Sequence, residues 1–369
     1  EPATLDNTHK VLCAKDWLRF CLTGVMGTEE SDVSAMPGDI ANRSYSNSLL
    51  KICGIDDLED KLPSILPSGD IVGYVTANAA RQTGLKEGTP VIGGLCDVAA
   101  STIGAGGLSP GEAVSIAGSS FLNCVILDRV KLEPMNAGFI YTLPNGRYVR
   151  LLPNTTGTPC LDWLIRTLEV QRDLKGDESV FEYLEDKAES TPIGSNGMVF
   201  HPYLSATGVT APVFEPTARG QFFGISLSST RGEIIRSVYE GVALSMRDCY
   251  EAIEQPVERV LLAGGGARSR FWSQMFADCL GTPIDVPAGH QAGARGVAML
   301  AAVATGFYAN LAEARDNMIS ISRCHVPNAT IHGKYDLIYE LYKQLSESLL
   351  CFSKQRFEIL GQLCPQGGE

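Results

Sequence analysis

Four stretches of this 369-residue chain hold residue types that could do chemistry. The first is Gly93-Gly94-Leu95-Cys96-Asp97, closing an apolar run that begins at Pro90. An acidic side chain beside glycines, at the end of a buried strand, stands where α/β folds place ligands. Such a carboxylate can accept the proton of a hydroxyl as its oxygen attacks phosphorus. It can equally cap the helix that follows, because Asp satisfies free N–H groups there. The segment alone leaves both readings open. The second stretch is Ala117-Gly118-Ser119-Ser120. Its small residues let backbone N–H groups and hydroxyls approach phosphate oxygens, but an ordinary hairpin turn has the same composition. The third, Gly264-Gly265-Gly266-Ala267-Arg268-Ser269, follows a strand and opens a helix, a setting that holds nucleotides. Close helix–strand packing is its structural alternative. The missing G-x-G-x-x-G spacing disfavours a dinucleotide, although Asp285 on the next strand keeps NAD open. The fourth is Gly220-Gln221-Phe222-Phe223-Gly224-Ile225, followed by Glu233-Ile234-Ile235-Arg236-Ser237-Val238-Tyr239-Glu240. Its glycines permit a tight strand turn, and Ser237 gives the helix a small residue on its packing face.

The elements that must carry these stretches alternate between strand and helix. Apolar residues over 5–22, including Leu12, Trp17, Leu18 and Leu22, have helical spacing, and Gly24 is the stop. A short helix over 48–53 ends at Gly54. A strand over 71–75 precedes a helix over 77–84. Residues 90–95 read as a buried strand entering Asp97, and 98–103 as a small-residue helix. Gly104 to Gly107 and Pro110-Gly111 read as a hinge. Strands over 112–116 and 121–127 flank a turn in which Gly118 supplies a positive φ. A helix over 159–168 opens with Pro159 after Thr158. Residues 169–195 are charged and read as a surface helix and loop. Further strands lie at 199–204, 259–262 and 284–286, with helices at 233–254, 269–280, 293–305 and 335–352. The alternation predicts the α/β class, and the length predicts two domains.

Composition narrows the partners. The net charge of −12 argues against nucleic acid and anionic membrane, which repel an acidic surface. It leaves room for a small anionic ligand held by local N–H groups. Eleven cysteines, odd in number and without a C-x-x-C pair, predict reduced thiols in a cytoplasmic protein. Five scattered histidines suggest no zinc site. No apolar run approaches the ~20 residues of a membrane helix. The chain opens at Glu1 without a Met, so a fragment of a longer protein is expected.

The fourth stretch resembles the second signature of the FGGY carbohydrate kinases at every constrained position. The order of the other segments fits that family: Leu22-Thr23-Gly24, Gly84-Leu85-Lys86-Glu87-Gly88-Thr89-Pro90-Val91, Gly94 to Asp97, Gly118-Ser119-Ser120 and Gly264 to Ser269. The resemblance covers essentially the whole chain. Trp17 to Val25, followed by Glu29-Glu30-Ser31, is most similar to the L-xylulose/3-keto-L-gulonate kinase branch.

The resemblance implies an actin- and hexokinase-like α/β fold, with two ribonuclease-H-like domains closing on a cleft. Residues 1–106 would be the C-terminal part of the first, sugar-side domain, and 107–369 the ATP-side domain. It implies Asp97 as catalytic base and sugar contact, and Gly118 and Ser119 as the turn on the ATP phosphates. Gly157 and Thr158 would lie near the nucleotide, and Gly265, Gly266, Ala267 and Ser269 in the adenosine pocket. The implied reaction is phosphorylation of a ketose by ATP with Mg2+ in carbohydrate catabolism. A glycerol- or erythritol-type polyol kinase is the alternative, or a non-catalytic nucleotide- or sugar-binding protein if the chain is complete. A homodimer is one expected assembly. Three departures stand out. The family's opening Asp-x-Gly-Thr phosphate loop is absent, with the rest of the first domain's N-terminal part. His201-Pro202-Tyr203-Leu204 continues as Ser205-Ala206-Thr207-Gly208 rather than Gly-Glu-Arg. Cys96 and Val98 flank the base where polar neighbours are common.

Overall fold

A computed structural model of the chain describes residues 2–174 and 179–363; Glu1, Cys364 and part of the charged 169–195 segment lie outside them. Two helices open it, α1 (Pro2–Asp6) and α2 (Ala14–Thr23). The single helix expected over 5–22 is therefore split. Gly24 ends α2 in the left-handed region at φ +73°, as its lack of a Cβ permits. The face that α2 buries is the reverse of the apolar one. Trp17 and Leu18 are 56% and 64% exposed, while Asp16 and Arg19 are buried.

Small elements follow: β1 (Thr28–Glu29), α3 (Glu30–Val33), β2 (Gly38–Asp39), β3 (Ser44–Tyr45), α4 (Asn47–Ile52), β4 (Ile65–Leu66), β5 (Ile71–Tyr74), α5 (Ala77–Thr83) and β6 (Pro90–Ile92). They pair two by two: β1 with β4, β2 with β3, and β5 with β6. The expected buried strand over 90–95 is corrected here. Strand β6 stops at Ile92, is partly exposed, and pairs antiparallel with β5. Helix α6 (Asp97–Ala105) comes next.

The chain then builds β7 (Glu112–Ala117), β8 (Phe121–Leu127), β9 (Phe139–Leu143), β10 (Arg147–Asn154), α7 (Pro159–Thr167), α8 (Val180–Glu189), β11 (Val199–His201) and β12 (Gln221–Phe223). It continues with α9 (Arg231–Ile253), β13 (Arg259–Ala263), α10 (Arg270–Leu280), β14 (Ile284–Pro287), α11 (Ala292–Ala304), α12 (Leu311–Met318), β15 (Ile321–His325) and α13 (Ala329–Leu363). Seven strands form one sheet in the order β15-β14-β13-β7-β8-β10-β9. Strand β13 runs parallel to β7 and β14, and the other pairings are antiparallel. Strands β9, β10 and β15 and helix α12 went unread in the sequence. In β10 the reason is visible. Arg150 is buried mid-strand, and its guanidinium donates to the carbonyls of Leu132, Pro134, Ala137 and Phe139. A charge at an inward position hides the alternation that marks a strand.

Helices cover both faces of the sheet. Leu164, Tyr239, Trp272, Phe276 and Tyr339, from α7, α9, α10 and α13, fill one side. Ala99, Ile103, Met299, Leu300 and Ala314, from α6, α11 and α12, fill the other. Helices α6 and α11 cross at backbone contact distance. A Cβ on Gly104 would stand 1.8 Å from the Ala292 carbonyl oxygen, and one on Gly296 1.9 Å from that of Ala100. The expected hinge at Gly104 is thus helix interior, and the turn begins at Gly106, φ +108°. We expect Gly104→Ala to lower stability by about 3 kcal/mol, the upper range for overpacking. Denaturant unfolding of the full-length protein measures this, and unchanged stability would refute the close crossing.

Candidate active site

Asp97 is the first residue of α6, and Cys96 holds the N-cap position in extended geometry. The Cys96 side chain makes no cap bond, and Asp97 itself takes up one of the free first-turn N–H groups. Its carboxylate is exposed, and Oδ1 accepts from Val98 N–H at 2.8 Å. The connection 106–111 turns α6 into β7, so helix and strand run in opposite senses. Tyr141 on β9 lies within electrostatic reach of Asp97. Burial pushes its phenol up to about 12, and the negative charge of Asp97 adds to this.

The loop before Asp97 is tied down on the N-terminal side. Arg19 Nη1 donates to the Gly93 carbonyl at 2.7 Å. Gly94 N–H donates to the Ser68 carbonyl at 2.9 Å, and Cys96 N–H to Ser31 Oγ at 2.7 Å. Gly93 has no room for a side chain, since a Cβ would lie 2.2 Å from the Pro67 carbonyl oxygen. Behind these bonds lies Glu29, fully buried. Its carboxylate caps α3 by accepting from the N–H groups of Ser31 and Asp32. It also accepts from the hydroxyls of Ser31 and Ser68.

Charge balance explains how a carboxylate sits there. Lys15 Nζ lies 3.2 Å from Asp16, 3.2 Å from Glu29 and 2.7 Å from Asp32. Arg19 pairs with Asp16 at 3.0 Å. Burial opposes the charge on Lys15, but Glu29, Asp32 and Asp16 outweigh it and hold its amine above the ordinary pKa. One ammonium shared among three carboxylates leaves the last short of compensation. Burial accordingly raises the Asp32 carboxyl despite Lys15. Burial also pushes the Cys96 thiol up to about 11, which keeps it protonated and unreactive beside Asp97. Helix α3 reaches the large sheet as well. Ser34 Oγ accepts from Thr142 N–H at 3.2 Å, and Arg43 joins Glu30 to the Leu143 carbonyl.

The glycine stretches converge at the ends of β7 and β13. Gly157 N–H donates to the Ser119 carbonyl at 3.1 Å, and Thr158 donates through both N–H and Oγ1 to the Gly118 carbonyl. Gly264, at φ +93°, lies against the backbone of Ala117, where a Cβ would be 2.5 Å from its carbonyl oxygen. The turn at Gly118, the opening of α7 and the loop after β13 thus form one backbone-lined patch. Gly118 does not use the positive φ expected of it. Its missing side chain serves access instead, as a Cβ there would meet only the Ser120 carbonyl at 3.5 Å. Gly265 likewise has nothing within 4 Å of an added Cβ. Gly266 and Ala267 are buried under the loop, in a short 3-10 turn before α10. Ser269 caps α10, accepting from Trp272 N–H at 2.9 Å. A cavity of about 260 Å3 opens beside this loop, lined by Gly264, Ala267, Arg268 and Pro287. A larger one of about 720 Å3 lies between α8, α9, α10 and α13, away from Asp97.

The structure therefore gathers Gly118, Ser119, Gly157, Thr158, Gly265 and Gly266 in one patch, and Asp97 stands apart from it in sequence at the start of α6. The chemistry of the motifs did not single out Lys15, Arg19, Glu29, Ser31 and Ser68. One signal was present: Asp16 and Arg19 stand three apart on a helix, where opposite charges meet.

Comparisons with known proteins bear on family and fold. The model of the FGGY family of carbohydrate kinases, C-terminal domain, matches residues 119–305, and that of the N-terminal domain matches residues 1–104. An erythritol kinase from Brucella abortus is 30% identical over 357 residues, 93% of this chain and 68% of that protein. An L-xylulose/3-keto-L-gulonate kinase from Escherichia coli is 30% identical over 366 residues, 95% of this chain and 69% of that protein. The crystal structure of a xylulose kinase from Rhodospirillum rubrum superposes with a TM-score of 0.86 at 27% identity, covering 96% of this chain and 70% of that one. The α/β sugar-kinase architecture expected from the resemblance is borne out.

The two kinds of glycine in the patch differ testably. A Cβ on Gly157 would lie 2.3 Å from the Phe121 ring and 2.7 Å from the Gly118 carbonyl oxygen. Gly157→Ala should cost about 1–3 kcal/mol. Gly265→Ala, with open space, should stay within about 0.5 kcal/mol of wild type. Thermal and denaturant unfolding of both variants checks the contrast, and equal losses would contradict it.

Proposed function

The chain belongs to the FGGY family of carbohydrate kinases, and on that premise we propose that it transfers the γ-phosphoryl group of MgATP to a hydroxyl of a ketose, with Asp97 as proton acceptor. That it is a kinase of carbohydrates or polyols follows from the family. The ketose, a pentulose or hexulose such as L-xylulose or 3-keto-L-gulonate, is the finer reading. It is supported by the likeness to the kinase of that name, and the 30% identity to an erythritol kinase makes a polyol the second candidate.

One observation carries the assignment of Asp97. An exposed carboxylate at the start of α6 is held by a loop bonded at Gly93, Gly94 and Cys96. The acceptor hydroxyl gives its proton to an Asp97 oxygen as its own oxygen bonds to phosphorus. ADP leaves with the electron pair of the broken bond. Mg2+ bound with the nucleotide would neutralise charge on its phosphates. Gly118 and Ser119 would lie along those phosphates, with Gly157 and Thr158 fixing the turn from behind. The adenosine would rest on Gly265, Gly266 and Ala267, with Ser269 at its edge. Open space over Gly118 and Gly265 supports this, since bare backbone there can approach a ligand closely. The division near Gly106 into a sugar side and a nucleotide side is part of the same proposal, as is a cleft that closes to exclude competing water.

Asp97→Asn should lower kcat by about 10²–10⁴-fold, the range for a lost general base. Nucleotide affinity should be nearly unchanged, because the glycine patch is untouched. Steady-state kinetics and ADP titration of full-length protein test this; wild-type turnover in the variant would reject the assignment. A coupled ADP-release screen against pentuloses, hexuloses and polyols tests the acceptor. Turnover confined to polyols would replace the ketose reading by the second one.

A further inference from the structure

The bond between Cys96 N–H and Ser31 Oγ spans two segments far apart in sequence, and both its ends are functionally placed. Cys96 is the N-cap residue of α6, so its backbone sets where Asp97 starts the helix. Ser31 is wholly buried and sits in α3, whose own cap is Glu29. The Ser31 hydroxyl has one proton, which it donates to Glu29 Oε1, leaving a lone pair for Cys96 N–H. Glu29 in turn is held by Lys15 and by the Ser68 hydroxyl at 2.8 Å. The same short helix touches the large sheet through Ser34 and Thr142.

We propose that Ser31 is a positioning residue for Asp97, fixing the start of α6 through the Cys96 N–H so that the carboxylate stands where the acceptor hydroxyl arrives. The proposal rests on the reading of Asp97 as the base. Without the hydroxyl, Cys96 N–H loses its acceptor and Glu29 loses a donor, and the loop between Gly94 and Asp97 is free to settle elsewhere. A shift of about 1 Å in a catalytic group can cost about 10²-fold in rate. Substrate and nucleotide contacts elsewhere are unaffected, so the loss falls on kcat.

The test compares Ser31→Ala, Ser31→Thr and Asp97→Asn, and the double variant Ser31→Ala/Asp97→Asn, in full-length protein. Rates are taken per folded molecule, with the folded fraction from circular dichroism. Ser31→Ala should lose about 10²-fold in kcat, with the KM for ATP within about twofold of wild type. Ser31→Thr, which keeps the hydroxyl, should recover most of that loss. In the Asp97→Asn background, Ser31→Ala should cause no further fall, because residues acting as a unit are not additive. Wild-type turnover in Ser31→Ala, or an equal further fall in the Asp97→Asn background, overturns the proposal. If Asp97→Asn itself keeps wild-type turnover, the base assignment fails and this inference with it; an inactive Asp97→Asn beside a normal Ser31→Ala sinks this inference alone. Should Ser31→Ala not fold, Ser31→Cys replaces it on the same criteria, since it keeps the size and weakens the hydrogen bond.

Discussion

The carboxylate of Glu29 is the constraint on which the first part of the molecule depends. It is fully buried, and a buried charge without partners is among the costliest things a fold can hold. Every partner it recruits comes from a different piece of chain. Lys15 comes from α2, the Ser31 and Asp32 amides from α3, and the Ser68 hydroxyl from the turn that follows β4. Removing one partner from such a cluster costs about 3–5 kcal/mol, because the remaining charge stays buried. The short strands and helices of this part are too small to fix one another by apolar contact alone. The ion cluster gives them a single arrangement, and that arrangement delivers the loop carrying Asp97.

A second constraint governs the other end of the site, and it is steric rather than electrostatic. Backbone meets backbone where β7, β13 and α7 converge, at Gly264 on Ala117 and at Gly157 on Gly118 and Phe121. Such approaches exclude any Cβ, so glycine there is a packing requirement. Gly265 and Gly118 are different, since their missing side chains leave open space. The patch thus separates glycines that hold the loops together from glycines that leave room above them. Aromatic packing supports it from below: Phe121 meets Phe276 edge-on and Trp272 at a tilt, and Trp272 donates its indole N–H to the Tyr239 carbonyl.

The two constraints meet through α6. Its last residues are locked onto α11 at Gly104 and Gly296, and its side chains join the core beneath the sheet. Its first residue belongs to the loop held by Arg19 and Ser31. A helix fixed at both ends by unlike interactions gives Asp97 a defined position while leaving its carboxylate open to solvent. Neither the buried ions nor the close glycine crossing would achieve this alone.

How much of this was legible beforehand follows from the range of the interactions involved. Local rules sufficed for α5 with Gly84, for the body of α9, and for α10 with Ser269. They sufficed for the β7–β8 hairpin and for the strand–glycine–helix run around Gly264, since caps and turns are short-range. Motif order also pointed to the family and to Asp97. The buried face of α2 was beyond them. An apolar stripe normally marks the inner side, yet here Asp16 and Arg19 are inside because they pair with each other and because the Gly27 and Gly93 carbonyls, from elsewhere in the chain, accept from Arg19. Strand β10 was hidden for the same reason, its inward Arg150 being satisfied by carbonyls of the preceding loop. Sequence by itself determined which residues could do the chemistry, because side-chain type and local spacing are one-dimensional properties. Only the tertiary structure decided what holds Asp97 in place, because whether a charge can be buried depends on partners that folding alone brings within 3 Å, as it does Ser31 Oγ and Cys96 N–H at 2.7 Å.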